Sequence, residues 1–114
     1  MLEGASADTV ASAIAKVADR HENTRVMMAL AQAADQEPQL RALFRELADG
    51  IILRAGRFLK ALNPAATDAD ARLLHALSVG LAVVNLATGS ADGRRRATAV
   101  LDTALTMIAT RARP

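Results

Sequence analysis

Hydrophobic residues recur every three or four positions along most of this 114-residue chain, which is the spacing that places them on one side of an α-helix. Breaks in this period, together with Pro, Gly and helix-capping residues, divide the chain into five predicted helices. These helices run from about residue 9 to 19, 23 to 34, 38 to 62, 68 to 87 and 94 to 112. No segment shows the alternation of a half-buried β-strand. The pattern therefore predicts an all-α, five-helix, bundle-like domain.

The third predicted helix is the longest and has clear start and stop signals. Pro38 suits the first turn of a helix, where its missing N–H costs nothing, and Asn63-Pro64 stops the helix. Gly50 and Gly56 lie inside it and indicate a bend or a close helix contact. The stretch from Thr67 to Asp70 then has the Thr-x-x-Asp form of a capping box, so we expect the fourth helix to begin there.

The fourth predicted helix has no obvious polar side. Residues 73–89, LLHALSVGLAVVNLATG, contain no charged side chain, although 23% of the chain is charged. On a helical wheel the apolar positions form two arcs, one with Leu73, Leu74, Leu77, Leu81 and Val84 and the other with Ala76, Val79, Val83 and Leu86. Leaving several large aliphatic side chains in water forfeits about 1.5–3 kcal/mol each. One arc can face the core of the chain, but a domain of this size has few elements left to cover the other.

The fifth predicted helix is also apolar, over about half of its circumference. Two adjacent helices with more apolar surface than a small domain can cover predict a homodimer, in which the last two helices of each copy form a four-helix interface. The residues predicted at this interface are Ala76, Leu77, Gly80, Val84, Leu101, Leu105 and Ile108. The alternatives are a core helix in a monomer and a membrane span. The apolar run falls short of the ~20 residues that a bilayer requires, which disfavours the span.

Composition narrows the chemistry of any binding site. Hydrophobic residues make up 52% of the chain, but Phe44 and Phe58 are its only aromatic residues, so a pocket would be aliphatic. The absence of Cys excludes disulfides and thiolate chemistry. The first twenty residues do not have the pattern of a secretion signal, which predicts a cytoplasmic setting. A net charge of +2 gives little support to nucleic-acid binding by this chain.

Three stretches carry a resemblance to a known family. RVMMALAQAADQEPQLRALFREL (25–47), DADARLLHALSVGLAV (68–83) and AVLDTALTMIA (99–109) resemble, in order and spacing, the C-terminal domain of TetR-type transcriptional regulators. The resemblance covers nearly the whole chain, although it depends on patterns of residue composition and not on catalytic residues. It implies a domain that binds a small apolar effector and dimerises through its last two helices, in a repressor whose N-terminal helix-turn-helix binds operator DNA. Residues 1–114 contain no helix-turn-helix pattern, so we expect a single sensor and dimerisation domain that contacts DNA only through a separate N-terminal domain.

The candidate ligand-binding residues come from the second, third and fourth predicted helices. Met28 and Gln32 lie one turn apart, and with apolar residues of the third helix they would line a pocket; alternatively, such a set is ordinary core. His75 and Asn85 lie between the two arcs and would contact a ligand or, alternatively, make hydrogen bonds inside the fold. The predicted set is Met28, Gln32, Phe44, Leu47, Ile51, Phe58, His75 and Asn85.

Other chemistry has little support in the sequence. Arg94-Arg95-Arg96 is read as a solvated helix start rather than a phosphate site, and His21-Glu22 lacks the spacing of a metal motif. No catalytic arrangement is recognisable, so we predict neither an enzyme nor a cofactor or metal. The alternative to a regulator domain is a stand-alone helical adaptor that docks another protein through the same apolar surface and binds no ligand.

Overall fold

The computed structural model describes residues 11, 13–15, 20–89 and 92–112, and within these ranges it contains helices and short connections but no strand. The helices are α1 (His21–Gln36), α2 (Pro38–Leu62), α3 (Asp68–Thr88) and α4 (Gly93–Ala109). Ahead of them, residues 11 and 13–15 are helical, and the remainder of the predicted helix 9–19 lies outside the described residues. The all-α prediction is confirmed.

The turn between α1 and α2 contains a single non-helical residue, Glu37. Its backbone N–H bonds the carbonyl of Ala33, and Pro38 starts α2 without needing a partner for an N–H. Arg41 fastens the turn, because its guanidinium donates to the carbonyl oxygens of Ala34 (3.2 Å) and Asp35 (2.8 Å). These bonds at the end of α1 extend it to Gln36, two residues beyond the predicted end.

The predicted capping box is present at the start of α3. The Asp70 N–H donates to Thr67 Oγ1 (3.3 Å), and the Thr67 N–H donates to Asp70 Oδ2 (2.8 Å). At the other end, Gly89 has a φ of +56° and closes the helix in the left-handed conformation that glycine adopts without strain. These two signals fix the length of α3 at 21 residues.

The core lies between the C-terminal half of α2, the inner side of α3 and one side of α4. Leu59, Leu101 and Leu105 are its largest fully buried side chains. The buried members of this cluster are Ala11, Ala15, Leu59, Ala66, Ala71, Leu74, Ala97, Leu101, Leu105 and Ile108. A Cβ at Gly56 would lie 3.7 Å from that of Ala71, which is an ordinary van der Waals distance, and a Cβ at Gly50 would meet nothing within 4 Å. Neither glycine is therefore required for the close approach of these helices.

The structure corrects the predicted interface on α4. Leu101 and Leu105 have no exposed surface and Ile108 is 2% exposed, so all three belong to the core of a single chain. The outward-facing apolar residues of this helix are Val100 (41% exposed) and Met107 (69%), each one position before a buried residue. α4 also ends at Ala109 rather than residue 112, because the chain beyond it turns towards α3.

α3 is the central helix, and it contacts α1, α2 and α4. Among the described helices it alone is long and apolar enough to cross a membrane, a test that the core helices of soluble proteins also pass. Its buried residues, including Leu74, Ala82 and Asn85, lie on the side that faces the other helices. Its outer side carries exposed apolar residues, so the predicted excess of apolar surface on this helix is present in the structure.

Candidate functional site

A cavity of about 550 Å³ lies between α1, α2 and α3. This volume is within the range of pockets that hold drug-sized molecules. The described residues that line the cavity are Asn23, Val26, Met27, Met28, Leu30, Ala31, Phe44, Leu47, Ala48, Ile51, His75, Val79 and Val83. The cavity therefore lies on the α1 side of α2 and α3, whereas α4 packs on the core side of the same two helices.

The structure brings five of the eight predicted ligand-binding residues together. Met28 of α1, Phe44, Leu47 and Ile51 of α2 and His75 of α3 all line the same cavity. The side chains of Leu47 and Ile51 are 56% and 44% exposed, so they form an open apolar wall rather than part of the core. Their role in ligand binding remains a prediction, but their convergence on one cavity follows from the fold.

The other three predicted residues lie elsewhere. Gln32 borders a shallow surface depression beside Asp35 and Gln36, on another side of α1. Phe58 packs against the core cluster. Asn85 is 2% exposed and faces α4, where a Cβ added at Gly93 would lie only 2.9 Å from its Oδ1 atom.

Sequence reasoning missed most of the lining residues of α1 and α3. Val79 and Val83 lie one turn apart on α3 and continue the line that His75 begins. On α1, Val26, Met27 and Leu30 form the apolar side of the helix. Only Thr24 and Ala34 are buried among the 16 residues of this helix, so its apolar side borders the cavity instead of a filled interior.

The described lining residues of the cavity include no Asp, Glu, Lys or Arg side chain. Asn23, which is exposed, and His75, which is half-buried, supply the polar side chains. Both side chains can donate and accept hydrogen bonds. The cavity can therefore hold an apolar molecule and orient one polar group.

A polar cluster at the junction of α2 and α3 fixes the end of α4. Asn63 is 4% exposed, and its Nδ2 atom donates to the carbonyl oxygens of Ile108 (2.9 Å) and Arg111 (3.0 Å). Arg111 also makes a bidentate ion pair with Asp70, with one Nη2 to Oδ1 distance of 2.7 Å. The hydrogen bond from Arg111 lowers the pKa of Asp70 to about 2 from 3.8. Only the helix-stopping role of Asn63 and the capping role of Asp70 were predictable from the sequence.

The outer sides of α3 and α4 carry exposed apolar residues. On α3, Leu73 is 48% and Val84 is 51% exposed, and the small residues Ala76 and Gly80 lie between them in sequence on the same side. We define the α3–α4 face as the outward residues of these two helices together with Leu77, which is half-buried and also packs against the core cluster. Its members are Leu73, Ala76, Leu77, Gly80, Val84, Val100 and Met107. A Cβ at Gly80 would meet nothing within 4 Å, so space is open in front of this helix.

The structure also bears on the Arg94–Arg96 stretch and on metal binding. Arg94, Arg95 and Arg96 are exposed in the first turn of α4, and Arg96 donates to Thr88 Oγ1 at 3.4 Å across the loop. No group of three or more His, Asp or Glu side chains within the described ranges is placed to hold a metal ion.

The described residues thus form helices with a mostly aliphatic cavity between three of them and exposed apolar residues on the last two. The family model described as Tetracyclin repressor-like, C-terminal domain matches residues 3–108, and the chain belongs to this family. The resemblance predicted from the sequence is thereby confirmed, and domains of this type are typical of transcription regulators rather than enzymes. Comparison with curated proteins and with solved structures gives no match.

Proposed function

We propose that this chain is the effector-sensing and dimerisation domain of a TetR-type regulator, in which an apolar small molecule occupies the cavity. The observation that carries the proposal is the position of α3, which lines the cavity and also presents the α3–α4 face. Val79 and Val83 face the cavity, whereas the adjacent residues Gly80 and Val84 face outwards. A molecule in the cavity would therefore touch the same helix turns that a second copy of the chain would touch.

Dimerisation through the α3–α4 face is supported by the cost of leaving it in water. Burying a large aliphatic side chain completely contributes about 1.5–3 kcal/mol, and Leu73, Val84, Val100 and Met107 are each roughly half exposed or more. Ala76 and Gly80 permit close approach of a partner helix between these larger residues. Two copies related by a twofold axis would pack α3 and α4 into a four-helix bundle.

Regulation requires that the ligand favour one arrangement of the dimer over another. In the proposed mechanism, a molecule against Val79 and Val83 shifts α3, and the shift changes the angle between the two copies. The spacing of attached DNA-binding domains then changes, which releases or permits operator binding. DNA is contacted in this proposal by a helix-turn-helix domain outside the 114 residues, in a cytoplasmic repressor.

The interface is tested by measuring molecular mass in solution by sedimentation equilibrium. The unmodified chain is expected to be a dimer, and Val84→Glu and Met107→Glu are expected to be monomers with unchanged helix content by circular dichroism. Leu53→Glu is the matched control, because Leu53 is 58% exposed but lies on α2 outside both the face and the cavity. This control is expected to remain dimeric.

Either of two results would overturn the interface. One is that the unmodified chain is a monomer, which would favour the alternative function of an adaptor that binds a different protein through this face. The other is a dimer that persists in both face variants but dissociates in Leu53→Glu, which would move the interface to α2.

A further inference from the structure

The described lining of the cavity specifies the chemical class of its ligand. Its apolar part is almost entirely aliphatic, with the ring of Phe44 as the one aromatic contribution from the described residues. An uncharged aromatic molecule would be held by apolar contact with only one ring to stack on, whereas an alkyl chain would contact Val, Leu, Ile and Met side chains along its whole length.

The absence of Asp, Glu, Lys and Arg from the described lining disfavours a charged ligand group. A carboxylate, phosphate or ammonium group placed against this wall would lose hydration without gaining an ion pair, which is costly. An uncharged hydroxyl, ester or amide loses much less, and it can recover a hydrogen bond from Asn23 or His75.

The helix topology places the two polar residues at one end of the cavity. The connections α1–α2 and α2–α3 are short, so successive helices fold back along each other and α1 runs in the same direction as α3. Asn23 is in the first turn of α1 and His75 is in the second turn of α3. Leu30 and Val83, which line the cavity from later turns, belong to its opposite end.

We propose that the ligand is an uncharged aliphatic amphiphile, with its polar group at Asn23 and His75 and its alkyl part extending towards Leu30 and Val83. This inference rests on the proposed sensing function and adds the ligand class to it. Such a molecule would cover the exposed apolar side chains of Val26, Leu47 and Ile51 and would satisfy its single polar group at the polar end.

The test uses N-phenyl-1-naphthylamine, an uncharged dye whose fluorescence rises in apolar surroundings, bound to the 114-residue chain. Three competitors with the same alkyl chain and different head groups are compared: 1-decanol below its solubility limit, and decanoate and decylammonium below their critical micelle concentrations. At neutral pH, 1-decanol is expected to displace the dye at concentrations at least about tenfold lower than either charged competitor.

Two variants and a control assign the displacement to this cavity. Ala48→Phe places a ring in the cavity and is expected to abolish dye binding, whereas Ala42→Phe adds the same ring to an exposed position of α2 outside the described lining and is expected to bind normally. His75→Leu keeps an aliphatic wall but removes a hydrogen-bonding group, so 1-decanol should bind roughly threefold to tenfold more weakly while the dye still binds.

The outcomes separate the ligand class from the sensing function. If the dye binds and all three competitors displace it equally, or if a charged competitor is preferred, the proposed ligand class is wrong. The proposed sensing function is not contradicted by that result. If neither the dye nor any competitor binds the unmodified chain, the sensing function itself is contradicted. Binding that persists in Ala48→Phe would place the ligand elsewhere and would overturn this assignment.

Discussion

The two sides of α2 and α3 differ sharply in how they are packed. On the α4 side, Leu59, Leu101 and Leu105 have no exposed surface. On the α1 side, Val26 and Leu47 remain more than half exposed and a cavity replaces the interior. Both sides are built from similar aliphatic residues, so hydrophobicity alone does not explain the difference.

This comparison indicates that the α4 side and the α1 side of the domain differ in rigidity. Close packing and a polar cluster hold α4 in place, and the proposed dimer would need such a fixed α4. α1 has few buried contacts, and regions of this kind open at low free energy and accommodate ligands. The same aliphatic composition thus supports a rigid side and an adaptable side.

The largest expected effect comes from truncating equivalent side chains on the two sides. Leu105→Ala is expected to lower the free energy of unfolding by about 2–5 kcal/mol, because it opens a cavity in the closed core. Leu30 is 42% exposed beside an existing cavity, so Leu30→Ala is expected to cost less than about 1 kcal/mol. Urea unfolding followed by circular dichroism at one fixed protein concentration measures both. Equal losses would remove the contrast between the two sides.

A smaller effect is expected at the polar cluster that fixes the end of α4. Asn63→Ala leaves the carbonyls of Ile108 and Arg111 without their donor, which should cost about 1–3 kcal/mol. Asn23→Ala is the matched control, since Asn23 is exposed at the cavity on the α1 side. The same unfolding experiment applies. A loss at Asn23 as large as that at Asn63 would show that the cluster has no special role.

The smallest effect is a pH dependence carried by Asp70. Its pKa is about 2 in the folded chain against 3.8 ordinarily, so the folded state binds this proton less tightly than the unfolded state. The stabilisation is therefore present above the unfolded-state pKa and is lost as the pH falls from about 4 towards about 2. Asp70→Asn is expected to reduce the slope of unfolding free energy in this window.

Asp68→Asn is the control for this pH dependence, because Asp68 pairs with Arg72 at 2.8 Å on the exposed surface of the same helix. Unfolding midpoints measured at several pH values in that window compare the two variants with the unmodified chain. A slope that Asp68→Asn reduces as much as Asp70→Asn would contradict the assignment to the buried carboxylate.

The sequence predicted the ends of the helices well where the start and stop signals are strong. Pro38, Asn63-Pro64 and the Thr67–Asp70 capping box act within a few residues, so the bounds of α2 and the start of α3 could be read directly. The sequence could not show which side of α4 is buried. Its apolar residues cover half the circumference, and Val100 and Leu101 differ only by one step around the helix, so tertiary packing decides which is buried.

The candidate site was predictable only in part for a related reason. Helical spacing indicated that Phe44, Leu47 and Ile51 share a face, but not that α1 would leave a cavity beside them. The Asn63 bond to Ile108 joins residues 45 positions apart and has no local signal. Long-range contacts of this kind depend on how the helices are arranged in space.

Hydrogen exchange followed by mass spectrometry, with and without 1-decanol, tests the central claim that α1 is the adaptable side and α4 the rigid one. Without the alcohol, amides of residues 24–36 should exchange faster than those of residues 97–108, and with it only the former, together with residues 79–83, should slow. Equal exchange of the two helices without the alcohol, or protection that appears in α4 and not in α1, would contradict the account.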